Sequence, residues 1–260
     1  MVDPRDRLSG RTALVSGGGN GLGRAIALAL GDNGVRVVIT GRTQATLDET
    51  AALGAAAGAT MRTATVDVAD AGSVEALRGE LAGEAISILV NNAGIAGPVA
   101  SLIDVQPYEW DDVFAVNVRG VYLMCRAFLP QMIARGSGDV INLASVSGKR
   151  PLARRTPYCA SKMAVIGLTT TLAAEVGPLG ISVNSLSPGP VRGPRMDRNF
   201  RLEAERLGVT VEEATDSFVS RALLGRLVEE DEVGQAVVSM LCMPGLHAAD
   251  IDLSAGMVAR

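Results

Sequence analysis

Between residues 12 and 23 the chain passes from an apolar run, Thr12-Ala13-Leu14-Val15, through Ser16-Gly17-Gly18-Gly19-Asn20-Gly21-Leu22-Gly23, into a helical pattern from Arg24 to Leu30. That order describes a strand, a glycine turn and a helix. Glycines in such a turn let the backbone take positive φ and approach a ligand closely, while the first amides of the helix point at an anion. A dinucleotide pyrophosphate suits these mechanics, cradled by Gly17, Gly19, Asn20, Gly21, Leu22 and Gly23. The spacing is G-x-x-x-G-x-G, which departs from the G-x-G-x-x-G fingerprint but keeps its physics. A merely flexible turn is the competing reading, and the strand before it and the helix after it weigh against that.

Beyond this turn, short apolar runs alternate with helical patterns. Strands are expected over 12–15, 35–40, 61–66, 86–90, 139–143, 181–186 and 250–253, and helices over 24–30, 44–57, 109–135 and 230–243, with a further helix opening near Pro157. Hydrophobic residues make up 48% of the 260 but aromatic ones only 3%, so the core is aliphatic, as in a parallel sheet buried on both faces. The expectation is α/β: one doubly wound Rossmann-type domain over 1–260, its mostly parallel seven-stranded sheet flanked by helices. After residue 186 the run Ser187-Pro188-Gly189-Pro190-Val191 gives way to a polar, arginine-rich stretch with helical patches from Asp197 and Val211. Residues 189–215 read as a mobile lid over substrate.

The formal net charge of -4 provides no electrostatic footprint for nucleic acid. Three scattered cysteines, Cys125, Cys159 and Cys242, without a C-x-x-C, point to a reducing compartment and to neither a disulfide framework nor a zinc site. Residues 1–10 are polar and charged, unlike a secretory signal, and no apolar run approaches the roughly 18 residues of a membrane span. A cytoplasmic protein without membrane or nucleic-acid partners is expected. His247 is the only histidine, which excludes a multi-histidine metal site; with G-x-S-x-G absent it also argues against a Ser-His-Asp hydrolase. No metal is expected.

The chemistry concentrates at Pro157-Tyr158-Cys159-Ala160-Ser161-Lys162, which opens a helix with a phenol and an amine four residues apart, on one face. A phenol with a pKa of about 10 is a poor proton carrier at neutral pH, but a close ammonium favours its phenolate. The pair could then give a proton to a carbonyl oxygen or take one from an alcohol. Of the 24 basic residues only Lys149 and Lys162 are lysines, so a compact ammonium here departs from the chain's habit. Other polar groups fall at expected strand ends: Asp67, beside Val68, either accepts from an adenine amine or caps the next segment, and Asn91-Asn92-Ala93-Gly94 belongs in the crevice. Asn117 lies among apolar neighbours and needs partners. Ser145 and Ser147 precede Tyr158 by 13 and 11 residues. In the turn after the second strand no acid awaits a ribose 2′-hydroxyl; Arg42 stands there instead, where it either pairs with a 2′-phosphate or faces water.

With these residues in order, the chain strongly resembles the short-chain dehydrogenase/reductase family over essentially its whole length. The resemblance rests on Ser16-Gly17-x-x-x-Gly21-Leu22-Gly23, Asn91-Asn92-Ala93-Gly94, Asn117, Ser145, Tyr158-x-x-x-Lys162 and Pro188-Gly189. It implies a tetrad of Asn117, Ser145, Tyr158 and Lys162. Tyr158 would be the general acid or base and Ser145 would hold the substrate oxygen. Lys162 would bind the nicotinamide ribose and ease the tyrosine's ionisation, and Asn117 would anchor a water leading to the lysine. It further implies cofactor contacts from Arg42, as in NADP-preferring members, from Asp67, Val68, Asn91, Ala93 and Gly94, and from Pro188, Gly189 and Val191. Two departures stand out: Gly193 where members often have threonine, and Ser16 for the commoner threonine.

The expectation is therefore an oxidoreductase moving hydride between NADP(H) and a ketone, aldehyde or secondary alcohol, and assembling as a homotetramer or dimer. An NAD(H)-dependent alcohol dehydrogenase working oxidatively and a non-catalytic NADP(H)-binding sensor stay open as alternatives. Lys149, Arg150, Arg154 and Arg155 precede Tyr158, and Arg192, Arg195, Arg198 and Arg201 lie in the expected lid. They are either solvated loop charges or subunit contacts, or they select an anionic substrate.

Overall fold

The computed structural model describes residues 4–258, so residues 1–3, 259 and 260 of the expected 1–260 domain lie outside the described residues. In chain order the elements are α1 Pro4–Leu8, β1 Thr12–Ser16, α2 Gly21–Asp32, β2 Arg36–Gly41, α3 Gln44–Ala56, β3 Met61–Thr65, α4 Ala71–Glu80, β4 Ile86–Asn91, α5 Pro107–Phe114, α6 Gly120–Arg135, β5 Gly138–Leu143, α7 Thr156–Val176, β6 Ile181–Pro188, α8 Pro194–Leu207, α9 Val211–Val219, α10 Glu230–Leu241 and β7 Asp250–Leu253. Among the described residues the strands form one sheet in the order β3-β2-β1-β4-β5-β6-β7, every pairing parallel. The order reverses between β1 and β4, and at such a switch point a crevice opens beyond the strands' carboxyl ends.

Side chains alternate across the strands, and each face has its own core. Leu14 of β1 joins Val38, Leu89 and Val140 on one face, while Val15 joins Val37, Ile39, Val90 and Ile141 on the other. Leu77, Phe128 and Val165, from α4, α6 and α7, close the first core; Ile26, Leu30 and Val237, from α2 and α10, close the second. Burying one such aliphatic side chain contributes about 1.5–3 kcal/mol. Burial on both faces explains why the strands are apolar nearly throughout.

Three local differences from the sequence expectation have physical causes. Helix α4 was not anticipated, because only Val74 and Leu77 are buried in it and two glycines dilute its pattern; the Asp70 side chain starts it by accepting from Gly72 N at 2.9 Å. The helix expected over 109–135 begins earlier, at Pro107, behind a capping box formed by Gln106 and Glu109, and it is interrupted by one wide π turn, Ala115–Arg119. The 29-residue run Pro107–Arg135 contains an 18-residue window with a mean hydropathy of 1.2, long and apolar enough to cross a membrane, contrary to expectation, yet half of that window is buried inside the protein. Finally, residues 189–215, expected as a lid, carry two helices after a single bridge to the chain beyond them. Val191 bridges Val228 in parallel, and α8 and α9 form a helical pair with Phe200 and Phe218 edge to face at 5.7 Å.

Candidate active site

The crevice at the switch point is built first by backbone. The glycine turn packs so tightly that a Cβ on Gly23 would lie 2.0 Å from Gly17 O, and one on Gly19 would lie 2.4 Å from Thr46 Oγ1. Gly17 and Gly21 have φ of 68° and 51°, values that suit glycine. Asn20 precedes α2 without a side-chain cap, so no cap side chain occupies the leading amides of that helix and they remain for an anion. Leu22 is partly buried against the second core. The β4 tip is stitched to this turn. Ser16 Oγ accepts from Asn92 N and Ala93 N at 3.0 and 3.1 Å, and Asn92 Nδ2 donates to Ser16 O at 3.0 Å and Gly17 O at 3.2 Å. The sequence places Asn92 in the crevice with its neighbours but gives it no role of its own; its bonds to Ser16 O and Gly17 O tie the β4 tip to the turn.

Asn117 sits in the π turn, a helical irregularity often found at functional sites. Its Oδ1 accepts from Ile95 N at 2.8 Å, and its Nδ2 donates to Ile95 O at 2.9 Å and to Ser161 Oγ at 3.0 Å. Ser161 Oγ in turn donates to Tyr158 O at 2.8 Å, so the asparagine braces the first turn of α7. A Cβ on Gly94 would come within 3.1 Å of Asn117 Oδ1 and 3.6 Å of Lys162 Nζ, which places all three groups around one point. Lys162 Nζ donates to Leu143 O, at the end of β5, at 2.7 Å and lies 5.8 Å from the Tyr158 ring centroid. Two residues beyond Leu143, Ser145 Oγ accepts from Ser147 N at 3.2 Å and donates to Pro188 O at a long 3.5 Å. The four expected catalytic residues are thus gathered at the carboxyl ends of β4, β5 and β6.

Burial pushes the Lys162 ammonium down to about 7, with the nearby positive charge of Arg195 acting in the same sense. A lysine that titrates near neutrality can carry or release its proton under ordinary conditions.

The remaining candidates divide. Pro188 ends β6 at its carboxyl end, and Gly189 and Val191 follow it; Gly189 N donates to Leu253 O at 2.8 Å, and a Cβ there would meet Ser254 Cα at 2.9 Å. Gly193, with φ of 150°, starts α8, and a Cβ on it would lie 2.9 Å from Glu230 Oε1. Arg42 is exposed just past β2, without an ion pair among the described residues. Asp67 Oδ1 accepts from Ala69 N at 2.9 Å, closing its own turn, while Asp70 supplies the α4 cap. Val68 is buried against Gly120. The Asn91 side chain turns inward, with Nδ2 donating to Asn142 Oδ1 at 2.8 Å and Oδ1 buried without a partner. His247 lies between β6 and α7, with Nδ1 accepting from Val183 N at 3.3 Å and Nε2 3.1 Å from Ala173 O.

The uncapped start of α2, the glycine cradle and the lysine beside the tyrosine fit a nicotinamide dinucleotide. Its pyrophosphate would meet the α2 amides, and its nicotinamide end would reach Tyr158 and Lys162.

Comparison with known proteins agrees with this geometry. A sequence profile described as short chain dehydrogenase matches residues 11–205. D-threitol dehydrogenase of Mycolicibacterium smegmatis is 40% identical over 190 residues, which cover 72% of each chain. Among solved structures, an actinorhodin polyketide ketoreductase variant with NADPH superposes at a TM-score of 0.91 with 31% identity, covering 97% of this chain and 98% of its own. An NAD+-bound xylitol dehydrogenase superposes at 0.90 with 26% identity, covering 96% and 99%.

Proposed function

The chain belongs to the short-chain dehydrogenase/reductase family of oxidoreductases acting on CH–OH groups, and from that premise we propose an NADP(H)-dependent enzyme that interconverts a ketone or aldehyde and its alcohol, with Tyr158 as acid and base. The observation that carries this reading is the convergence of Tyr158, Lys162, Ser145 and Asn117 on one crevice beside a phosphate-ready turn. When bound, the nicotinamide ring supplies the hydride in reduction and accepts it in oxidation.

The chain's own groups handle the oxygen. In reduction the Tyr158 hydroxyl gives its proton to the carbonyl oxygen as that atom gains charge, and in oxidation the phenolate takes the proton back from the alcohol. Ser145 Oγ holds the same oxygen, exchanging its long 3.5 Å bond to Pro188 O for one to substrate. Lys162 has three N–H donors and uses one on Leu143 O, which leaves two for ribose hydroxyls. Asn117 keeps the first turn of α7 in register and retains one lone pair on Oδ1 for a water near the lysine. Residues of α8 and α9 close over the substrate, with Gly193 as the pivot.

Arg42 supports NADP(H) over NAD(H): it is exposed, stands at the mouth of the glycine turn, and has no carboxylate partner among the described residues to compete with a 2′-phosphate. A cytoplasmic homotetramer or dimer belongs to the same proposal.

The test is a panel of carbonyls and alcohols assayed by nicotinamide absorbance with both cofactors. Tyr158→Phe should lower kcat by at least about 100-fold, the usual scale of a lost acid–base group, with cofactor affinity kept. The preference for NADP(H) should collapse in Arg42→Ala. Cofactor binding without turnover of any compound would favour a sensor. Turnover confined to alcohols with NAD+ would favour the oxidative dehydrogenase.

A further inference from the structure

Of the eight basic residues flanking the site in sequence, several are engaged elsewhere. Lys149 pairs with Asp250 and Asp252, Arg192 pairs with Glu229, Arg150 donates to Met257 O, and Arg154 donates to Val99 O. Three others gather at the crevice. Arg155, at the start of α7 and three residues before Tyr158, is only 8% exposed. Its Nη1 donates to Ala96 O at 3.3 Å and its Nη2 to Asn199 Oδ1 of α8 at 2.6 Å. Arg195 of α8 donates to Gly94 O at 3.3 Å, on the loop that carries the β4 tip. Arg198 lies one turn further along α8, where the positive charges of Arg195 and Arg198 both bear on Arg155.

Among the described residues, none of these three guanidinium groups has a salt bridge. Arg155 touches only neutral oxygens, and burial pulls it below the usual arginine range; Arg195 and Arg198 add to that, while Tyr158 acts in the opposite sense. A buried guanidinium without a counter-ion, crowded by two like charges, is an expensive arrangement that buried charges in proteins ordinarily escape by pairing. A planar fork with donors to spare matches a carboxylate bidentately.

We propose that Arg155, with Arg195 and Arg198 from α8, forms the receptor for a substrate carboxylate, so that the enzyme acts on small keto acids and the corresponding hydroxy acids. This rests on the oxidoreductase reading and narrows its substrate class. Because Arg155 stands at the N-cap of α7 and Tyr158 in its first turn, the carboxylate is held a few carbons from the oxygen that Tyr158 protonates. Because Arg195 and Arg198 ride on α8, the anion draws that helix over the crevice.

The experiment is calorimetric titration of the protein saturated with reduced cofactor, using butanoate and butanamide, which share shape but differ in charge. Butanoate should bind roughly tenfold to a hundredfold more tightly, the scale of one or two tenfold steps at about 1.4 kcal/mol each. Arg155→Met and Arg195→Met should each reduce that ratio about tenfold on the same scale, and Arg155→Lys should keep part of it. Arg195 is exposed, so its variant keeps the test valid should Arg155→Met fail to fold. Equal affinities for acid and amide overturn the proposal, as does a ratio unchanged in both methionine variants. Arginine variants that weaken only the cofactor would assign these groups to the dinucleotide and overturn it too. Turnover of a keto acid and its methyl ester separates the two levels. Equal turnover removes the carboxylate receptor and leaves the oxidoreductase, whereas acid-selective binding without turnover of any carbonyl removes the oxidoreductase and leaves the receptor.

Discussion

At Lys162 the amine donates to Leu143 O at 2.7 Å from a nearly dry position, and burial, reinforced by Arg195, brings its pKa from an ordinary 10.5 to about 7. Between those two values the unfolded chain holds a proton that the folded chain has released. Stability therefore rises as pH climbs from about 7 to 10.5, and the penalty for burying the ammonium is fully present below 7. The same titration reaches catalysis, because only the charged form presents three donors, one for Leu143 O and two for the cofactor ribose. In carbonyl reduction kcat/KM should bend downward near pH 7, where free-enzyme groups are read. Lys162→Arg, which does not titrate in this range, should be slower and lack the bend; a bend that persists in the variant belongs to another group. The tyrosine–lysine spacing and Ser145 were legible in the sequence. The lysine's depressed pKa was not, because it arises from burial under β5 and a charge on α8, both distant in the chain.

The strand–turn–helix of residues 12–32 and a second helix, α4, respond oppositely to the same substitution. Gly23→Ala would drive its methyl into Gly17 O, 2.0 Å away on backbone that cannot yield without opening the turn. It should weaken cofactor binding at least tenfold and lower stability by about 2 kcal/mol or more, within the 1–3 kcal/mol typical of overpacking. Gly79→Ala, in α4 with nothing within 4 Å of the added methyl, should raise stability by about 0.5–1 kcal/mol. Fluorescence titration with cofactor and urea unfolding read both, and a Gly23→Ala protein that binds normally would contradict the tight turn. Elements with two-sided apolar burial were visible as sequence patterns, and all seven strands fall where expected to within two residues at either end. What escaped were features set by partners: α4, whose apolar stripe is two side chains wide, and the π turn, which brings Asn117 onto Ile95 and Ser161. Asn117 itself was picked out as a buried amide in need of partners, but nothing local identified them.

Across the whole molecule, the loop after β5 that carries Ser145 is tied to the edge strand β7 by one side chain. Lys149 Nζ reaches both Asp250 and Asp252, and Asp250 Oδ1 also accepts from Ser185 Oγ and Ser187 Oγ of β6 at 2.8 Å each. Lys149→Met would leave two largely buried carboxylates facing each other without a counter-ion. Removing one partner of a buried pair costs about 3–5 kcal/mol, so the urea midpoint should fall markedly. Adding Asp252→Asn to Lys149→Met should restore part of the loss, and a midpoint unmoved by Lys149→Met would mean the cluster contributes nothing. This clasp could not be foreseen from a linear reading that grouped Lys149 with the arginines near the site.

The clasp also has an order in time. On a ribosome Lys149 emerges about a hundred residues before the two aspartates that hold it, at a pace of roughly 5–20 residues per second. Until β7 has been made and docked, the serine loop has no anchor at this point. A nascent or prematurely terminated polypeptide can therefore assemble the glycine cradle early, yet the half of the crevice that grips the reacting oxygen is secured only once the hundred or so residues beyond Lys149 have been made.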